Sequence, residues 1–130
     1  MTEITITRIF DAPRERVWAA WTDPAQIARW WGKRGWSTPP ESVTLDVRPG
    51  GVFRLNSVNV EDGREMPLET TYSEVVEPER LSFGPATVTF TDLGDGRTEM
   101  TFRTEATHPA AEGGLASAFD RLSEQLERNP

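Results

Sequence analysis

Runs in which apolar and polar residues alternate dominate this chain and constrain its fold more than any other feature. The first run covers residues 4–10, and the others lie between residues 43 and 104. Alternation with period two, rich in Val, Ile, Thr and Phe, predicts β-strands with one buried face. Turn signals separate the runs, among them Pro49-Gly50-Gly51, Asp62-Gly63 and Asp95-Gly96. About seven antiparallel strands follow from this pattern.

Helical patterns occupy the two places that the strands leave free. Pro13 and the pair Asp23-Pro24 mark the starts of two short helices, because Asp accepts hydrogen bonds from free helix amides and Pro has a preset φ. The second of these helices ends at Gly32. A longer C-terminal helix carries an apolar face made of Leu115, Phe119, Leu122 and Leu126. The predicted order is one strand, two helices, about six strands and one helix.

A sheet of this size has one apolar face to cover, and the C-terminal helix is the element long enough to lie across it. We therefore predict an α+β fold in which a curved antiparallel sheet wraps around that helix. The two short helices close one end of the gap between them. Concave, mostly apolar gaps of this kind bind small ligands. The length of 130 residues predicts a single domain over residues 1–130.

Composition argues against several classes of function. The absence of Cys excludes thiolate chemistry, and a single His argues against a histidine metal cluster or a Ser-His-Asp triad. That His108 precedes Pro109 in a loop, where an exposed or helix-capping role is expected. A net charge of −7 argues against nucleic-acid binding, which needs a basic face. The chain has neither an apolar run of about 18–20 residues nor a signal-peptide pattern, so we expect a cytoplasmic protein without membrane binding, metal or cofactor.

Several short motifs follow one another along nearly the whole chain. They are Ala12-Pro13, Val17-Trp18, Trp21, Asp23-Pro24, Trp30-Trp31-Gly32, Asp46-x-Arg48-Pro49-Gly50-Gly51, Glu74-Val75-Val76-Glu77-Pro78-Glu79-Arg80-Leu81 and Val88-Thr89-Phe90. In this order they resemble the SRPBCC superfamily, which has the START-like or birch-pollen-allergen-like helix-grip fold. The resemblance is closest to bacterial homologues of the activator of heat-shock-protein-90 ATPase, in its C-terminal-type domain. It implies a β-α-α-β6-α order and an internal pocket between the sheet and the long helix.

The chain departs from the pattern of these homologues at two places. Phe83-Gly84-Pro85-Ala86 joins two strands almost directly, where homologues usually carry a longer strand-turn-strand. The last helix begins with Gly113-Gly114-Leu115, where homologues usually have Gly-Trp. Both places belong to the pocket walls, so the sequence leaves open whether the cavity is small, open or filled.

Alternation and helix periodicity also predict which side chains line the pocket. The residues expected to point inward are Met66, Phe90, Met100, Phe102, Leu115 and Phe119. Tyr72 shares a strand face with Leu68 and Thr70, so its ring can line the cavity while its hydroxyl offers one polar contact. Core filling is the competing interpretation for all of these residues.

The five Trp residues all lie between positions 18 and 36. Trp18 and Trp21 are expected in the core, and Trp30 is expected to have a structural role, stapling the short helices to the sheet edge. Trp31 and Trp36 flank a Gly-Lys-Arg-Gly loop, where they form either an aromatic gate at the cavity mouth or a structural staple to the sheet edge. Lys33 and Arg34 in that loop suit a ligand carboxylate or simple solvent exposure better than a nucleic-acid stacking platform.

Three functions are compatible with these features. The one we favour is the binding of a small apolar or amphipathic molecule in a cavity between the sheet and the C-terminal helix. The second is an enzyme of the same fold, of cyclase or hydrolase type, acting on an apolar substrate; no catalytic set can be named, and Asp46 is better explained as a turn residue. The third is a co-chaperone-like interaction domain in the stress response. Homodimerisation through a sheet edge or a Trp-bearing surface is left open.

Overall fold

The computed structural model describes residues 2–106 and 111–128, and these form eight strands, three α-helices and one turn of 3-10 helix. The helices are α1 (Arg14–Thr22), α2 (Pro24–Trp30) and α3 (Ala111–Arg128), and the 3-10 turn is Pro40–Ser42. The strands are β1 (Thr2–Phe10), β2 (Trp36–Ser37), β3 (Thr44–Leu45), β4 (Val52–Asn59), β5 (Glu65–Val76), β6 (Arg80–Phe83), β7 (Ala86–Asp92) and β8 (Thr98–Ala106). The predicted order of elements is confirmed, with one additional short strand, β2, and the 3-10 turn.

The strands form one antiparallel sheet in the spatial order β1-β8-β7-β6-β5-β4-β2, and β3 also pairs with β4. β1 and β8 pair along their whole lengths, from Thr2 opposite Ala106 to Phe10 opposite Thr98. α3 lies against β1, α1 and α2. The sheet curls into a half-barrel around α3, which confirms the predicted helix-grip fold.

The residue Asp23 separates α1 from α2 and stabilises both. Its backbone N–H donates to the Ala19 carbonyl at the end of α1, and its Oδ1 accepts from the Ala25 N–H at 3.0 Å at the start of α2. Pro24 occupies the first turn of α2, where no amide hydrogen is needed. Pro13 differs from the prediction, because it is the cap that precedes α1 and not its first helical residue.

The two Trp residues assigned to the core from the sequence are buried there, and so is Trp30, for which a structural role is predicted. Trp18, Trp21 and Trp30 are all enclosed, and the Trp30 indole N–H donates to the Ala20 carbonyl at 2.9 Å. This bond ties α2 back to α1. None of the described helices combines the length and apolar character that crossing a membrane would need.

The segment 43–47 contains less strand than its alternation predicts. β3 ends at Leu45, and the chain then turns, because the Arg48 N–H donates to the Asp46 carbonyl and the Arg48 Nε to Asp46 Oδ2, both at 2.8 Å. A Cβ added at Gly51 would lie 1.9 Å from the Asp46 carbonyl oxygen, so this close approach requires glycine. Asp46 therefore has the predicted turn-stabilising role.

The two halves of β5 have different neighbours. Residues 72–76 pair with β6, whereas residues 65–70 pair with β4 alone. Thr71 pairs with β4, and its carbonyl also accepts from the Gly84 N–H at 3.3 Å. β6 contains four residues and turns at Gly84-Pro85 into β7, so its pairing with β5 ends where Tyr72 faces Phe83. Within the described residues, the first half of β5 is therefore an unpaired sheet edge on that side.

Candidate functional site

Most of the predicted pocket-lining residues are buried in the core. They are Tyr72, Phe90, Met100, Phe102 and Phe119. Phe102 of β8 and Phe119 of α3 meet edge to face, with ring centroids 5.3 Å apart, so sheet and helix are in direct contact there. Strand alternation and helix periodicity therefore predicted correctly that these five side chains point inward. Their contacts with one another are those of a filled core. A ligand-binding role for these side chains stays a prediction.

Trp21 fills the centre of the space between the sheet and α3. Its ring centroid lies 4.8 Å from that of Trp30 and 6.1 Å from those of Phe102 and Phe119. Two clefts of about 390 and 710 Å³ lie on the described surface. One lies between α1, α2 and the end of α3, and the other beside β6 and the start of α1. Aromatic rings thus occupy the centre of the space in which the sequence predicts a cavity.

The first half of β5 presents a different surface. Met66 and Leu68 point to the inner side of the sheet, because they pair directly with the buried Ser57 and Leu55 of β4. Both are nevertheless exposed, Met66 by 55% and Leu68 by 37%. Met66 therefore lies on the predicted inward side without being buried, and its ligand-binding role stays a prediction. Its face was predicted correctly, but no described element covers it.

Four alternating side chains of β5 form a continuous row, which we call the inner row: Met66, Leu68, Thr70 and Tyr72. Exposure falls along it from 55% at Met66 to 1% at Tyr72. The turn between β6 and β7 meets the row at Thr70, whose Oγ1 lies 3.1 Å from a Cβ added at Gly84. The inner row is therefore an apolar surface that begins in solvent, passes the short hairpin and ends inside the molecule.

The buried end of the inner row carries an unsatisfied hydroxyl. The Tyr72 ring packs edge to face on Phe53, with centroids 5.7 Å apart, and its hydroxyl has no hydrogen-bond partner among the described residues. Burial raises the pKa of Tyr72 well above its usual value, and the charge of Asp46 adds to the shift. Because buried polar groups normally have partners, this hydroxyl is a candidate contact for a polar ligand atom.

Trp31 and Trp36 stand at the two ends of the segment 31–36, which joins α2 to β2, the strand on the opposite side of β4 from β5. Trp31 is partly buried, and its centroid lies 5.6 Å from that of Phe53. Trp36 is 8% exposed, and two cations lie over its ring: Lys33 Nζ at 5.7 Å and the Arg64 guanidinium carbon at 5.6 Å from the centroid. Both interpretations of these Trp residues, gate and staple, stay open.

Arg121 of α3 holds this loop in place, and sequence reasoning missed it. Its guanidinium donates to four backbone carbonyls, those of Arg29 at 3.0 Å, Trp31 at 3.3 Å, Gly32 at 2.8 Å and Trp36 at 3.1 Å. Burial lowers the pKa of Arg121. The sequence gives little indication of this role. An Arg next to Leu122, a core position of the helix, could bind many different partners.

The loop has further contacts with α3. Arg34, expected to face a ligand or solvent, forms an ion pair with Glu124, and its N–H donates to Ser117 Oγ at 3.0 Å. Leu115, the remaining predicted lining residue, is partly buried against the core. No group of three or more metal-ligating side chains is present in the part of the chain that the structure describes. His108 lies outside the described residues.

Comparison with models of known protein families assigns this chain to one family. The sequence model of the family described as "Activator of Hsp90 ATPase homolog 1-like protein" matches residues 11–127, from before α1 almost to the end of α3. The chain belongs to this family. The membership confirms the resemblance that the motifs indicate, and the matched range includes the inner row, the Trp31–Trp36 loop and Arg121.

Solved structures of similar proteins share the fold of this family. The AHSA1-like protein from Aeromonas hydrophila is 27% identical, with a TM-score of 0.83 over 98% of this chain and 93% of that one. A protein from Mycobacterium smegmatis is 26% identical, with a TM-score of 0.80 over 98% and 92%. A protein from Chromobacterium violaceum is 24% identical, with a TM-score of 0.84 over 98% and 99%, which shows likeness of fold.

An uncharacterised protein from Schizosaccharomyces pombe is similar to this chain in sequence. It is 37% identical over 103 residues, which are 75% of this chain and 28% of the yeast protein. The chain therefore spans less than a third of the length of that relative. The match supports the family assignment of the shared domain and carries no statement about the rest of the yeast protein.

Proposed function

We propose that this domain binds a small apolar or amphipathic molecule at the inner row of β5, at the open end of the helix grip. The observation that supports this proposal is the exposure of Met66 and Leu68 on the inner side of the sheet. Covering an apolar side chain of this size completely contributes about 1.5–3 kcal/mol. Two such residues side by side therefore offer a ligand a useful binding surface.

The proposed site differs from the enclosed pocket that the sequence predicts. Trp21 occupies the centre of the interior, so the ligand lies against the sheet near the mouth, with one side towards solvent. Met66 and Thr70 are four residues apart, a distance of about 13 Å along a strand. An elongated molecule that follows the row would reach the β6–β7 turn, and a longer one would approach the unsatisfied Tyr72 hydroxyl.

The double variant Met66→Ser/Leu68→Ser tests this site, with 1-dodecanol as the probe. We expect the probe to shift the backbone amide NMR signals of β4 and β5, and the double variant to weaken binding at least about tenfold, since that factor corresponds to about 1.4 kcal/mol of lost apolar contact. The matched control is Ile9→Ser/Leu93→Ser, which changes two side chains of similar exposure, 55% and 38%, elsewhere on the surface. Equal losses in both variants, or shifts centred away from β5, would overturn the proposal.

The family match favours a second candidate, a co-chaperone-like interaction with a heat-shock-protein-90-type ATPase in the stress response. Its test is the ATPase rate of the purified chaperone at increasing concentrations of this domain. Saturable stimulation of the ATPase rate would support the interaction. An unchanged rate at high domain concentration would exclude this candidate function.

An enzyme of this fold has less support. Among the described residues, Tyr72 is the one ionisable side chain that is fully buried, and acid–base catalysis of the usual kind needs a second group beside it. Homodimerisation and a cytoplasmic location stay predictions.

A further inference from the structure

We infer that the molecule bound at the inner row carries an anionic headgroup, held by Lys33 and Arg64 beside Trp36. This inference rests on the proposed function and adds the chemical class of the ligand. The class is an amphipathic anion, with an apolar tail and a carboxylate, sulfate or phosphate head.

The exposed end of the inner row is separated from the segment 31–36, which ends at Trp36, by the width of β4. Met66 pairs directly with Ser57 across β4 and β5. A Cβ added at Gly32 would lie 3.2 Å from Ser57 Oγ and 3.7 Å from the Cβ of Trp36, so loop and strand are packed together. Lys33 follows Gly32 in the chain. An apolar tail on the row would therefore have its outer end one strand away from this loop.

Two cations from different parts of the chain converge at this point. Lys33 Nζ and the Arg64 guanidinium carbon lie 5.7 and 5.6 Å from the centroid of the same Trp36 ring. Arg64 uses Nε to bind Asp62 Oδ2 at 2.7 Å, which leaves its two terminal nitrogens without a described partner. Lys33 forms no ion pair with any carboxylate in the described part of the chain. Their remaining donors suit a bound anion.

The acidic net charge of the whole chain makes the meeting of Lys33 and Arg64 unusual for this protein. A net charge of −7 repels anions from most of the surface, and Lys33 is the chain's single Lys. Beside an exposed apolar row, the Lys33 ammonium and the terminal nitrogens of Arg64, whose charge Asp62 partly offsets, therefore suit a molecule that is negative at one end and apolar at the other.

The test compares three probes with the same tail on the full chain. Dodecanoate and dodecyltrimethylammonium are used below their micelle concentrations, and 1-dodecanol below its solubility limit. We expect dodecanoate to bind most tightly and the cationic probe least tightly in isothermal titration calorimetry. Lys33→Gln and Arg64→Gln should each weaken dodecanoate binding by about two- to fivefold, the effect of an exposed ion pair, without changing dodecanol binding.

Arg97→Gln is the matched control. Arg97 pairs with Asp95 in the turn Asp95-Gly96-Arg97, as Arg64 pairs with Asp62 in Asp62-Gly63-Arg64, but it lies in the β7–β8 turn. It should leave the affinity for dodecanoate unchanged. An equal loss in Arg97→Gln would show a general charge effect and would overturn the inference.

The single Lys also provides a direct reporter. Reductive methylation with ¹³C-formaldehyde keeps its charge and places one side-chain NMR signal at Lys33, separate from that of the N-terminal amine. Dodecanoate should shift this signal, and acetate at the same concentration should not. An equal shift with acetate would indicate a simple anion site and overturn the inference.

The outcomes separate this inference from the proposed function. If the three probes bind equally well, and Lys33→Gln and Arg64→Gln change nothing, the anionic headgroup is wrong while the apolar site at Met66 and Leu68 stands. If none of the three probes binds at β5, both fail.

Discussion

At the scale of single residues, Arg121 and Tyr72 show how the partners of a buried polar group decide its effect. The Arg121 guanidinium has four carbonyl acceptors and connects α3 to the loop before β2. The Tyr72 hydroxyl is more deeply buried and has no described partner. Arg121 is therefore expected to stabilise the folded state, whereas the Tyr72 hydroxyl is expected to destabilise it until something binds it.

The change Arg121→Met removes the hydrogen bonds and keeps much of the side-chain volume. We expect the free energy of unfolding to fall by about 2–4 kcal/mol, because hydrogen bonds from a charged donor contribute about 1.5–3 kcal/mol and the carbonyls lose their shared donor. Urea denaturation followed by Trp fluorescence measures this change. Arg103→Met, exposed on β8, is the control and should cost less than about 0.5 kcal/mol. Equal losses in the two variants would show that Arg121 does not hold the loop.

The pH dependence of stability should report on Tyr72, the single Tyr of the chain. In the unfolded chain its pKa is about 10, and burial raises the folded value. Above pH of about 10 the unfolded state has therefore lost a proton that the folded state keeps, so stability falls as pH rises, by up to about 1.4 kcal/mol per pH unit.

The comparison with Tyr72→Phe isolates this effect in urea denaturation from neutral to alkaline pH. The variant should lose the Tyr-dependent decline and be at least as stable as the original protein at neutral pH, because its missing hydroxyl had no partner. Tyrosinate absorbance gives a second measurement. A folded protein whose Tyr ionises near pH 10 would contradict the burial argument.

At the scale of elements, the unequal lengths of β5 and β6 create the most unusual surface of the described molecule. β5 has twelve residues and β6 has four, so half of β5 has a strand on one side alone. Both the N–H and the C=O of Asn56 bond to Ser42 Oγ, away from β5, and therefore the opposite residue, Pro67, directs its backbone to the unpaired edge. A Pro at that position offers no donor to an added strand, and the flanking Glu65 and Glu69 add charge.

The double variant Pro67→Thr/Glu69→Thr should remove this protection. We expect it to self-associate through the β5 edge more strongly than the original protein at the same concentration, because it restores a backbone donor and removes a charge. Sedimentation velocity measures the association. Glu69→Thr alone retains Pro67 and should associate no more than the original protein. A double variant that also associates no more than the original protein would show that Pro67 is not what blocks pairing.

At the scale of the whole molecule, the interior is held together by aromatic contacts centred on Trp21. This residue comes from α1 and meets rings from α2, β8 and α3. The centre is packed, whereas the start of the inner row is exposed. The buried aromatic side chains lie between the sheet and α3, and the short β6–β7 hairpin does not extend along β5 as far as Met66 and Leu68.

The variant Trp21→Ala should open a cavity between the sheet and α3. We expect a loss of about 3–5 kcal/mol in the free energy of unfolding, the usual cost of truncating a buried Trp. Added indole should recover part of this loss in the variant by filling the space, with a much smaller effect on the original protein. The partly buried Trp31→Ala should cost less, and a similar or larger cost there would argue against Trp21 as the centre of packing.

Local patterns predicted much of this fold. Alternation identified β1 and the strands from β4 to β8, and Asp23-Pro24 identified the boundary between α1 and α2. The same alternation placed Met66 and Tyr72 on one face of β5. These predictions depend on residues a few positions apart, which is why they hold without knowledge of the rest of the molecule. β2 and the early end of β3 depend on pairing with distant residues and were not predicted.

The sequence by itself determined the order of the elements, the direction in which each strand points its side chains and the family. The tertiary structure alone decided which inward-facing side chains are covered. Met66 and Tyr72 have the same periodic position, yet one is exposed and the other buried, because coverage depends on how far β6, α2 and α3 reach across the sheet. Direction is a property of neighbouring peptide units, whereas coverage requires contacts between segments far apart in the chain.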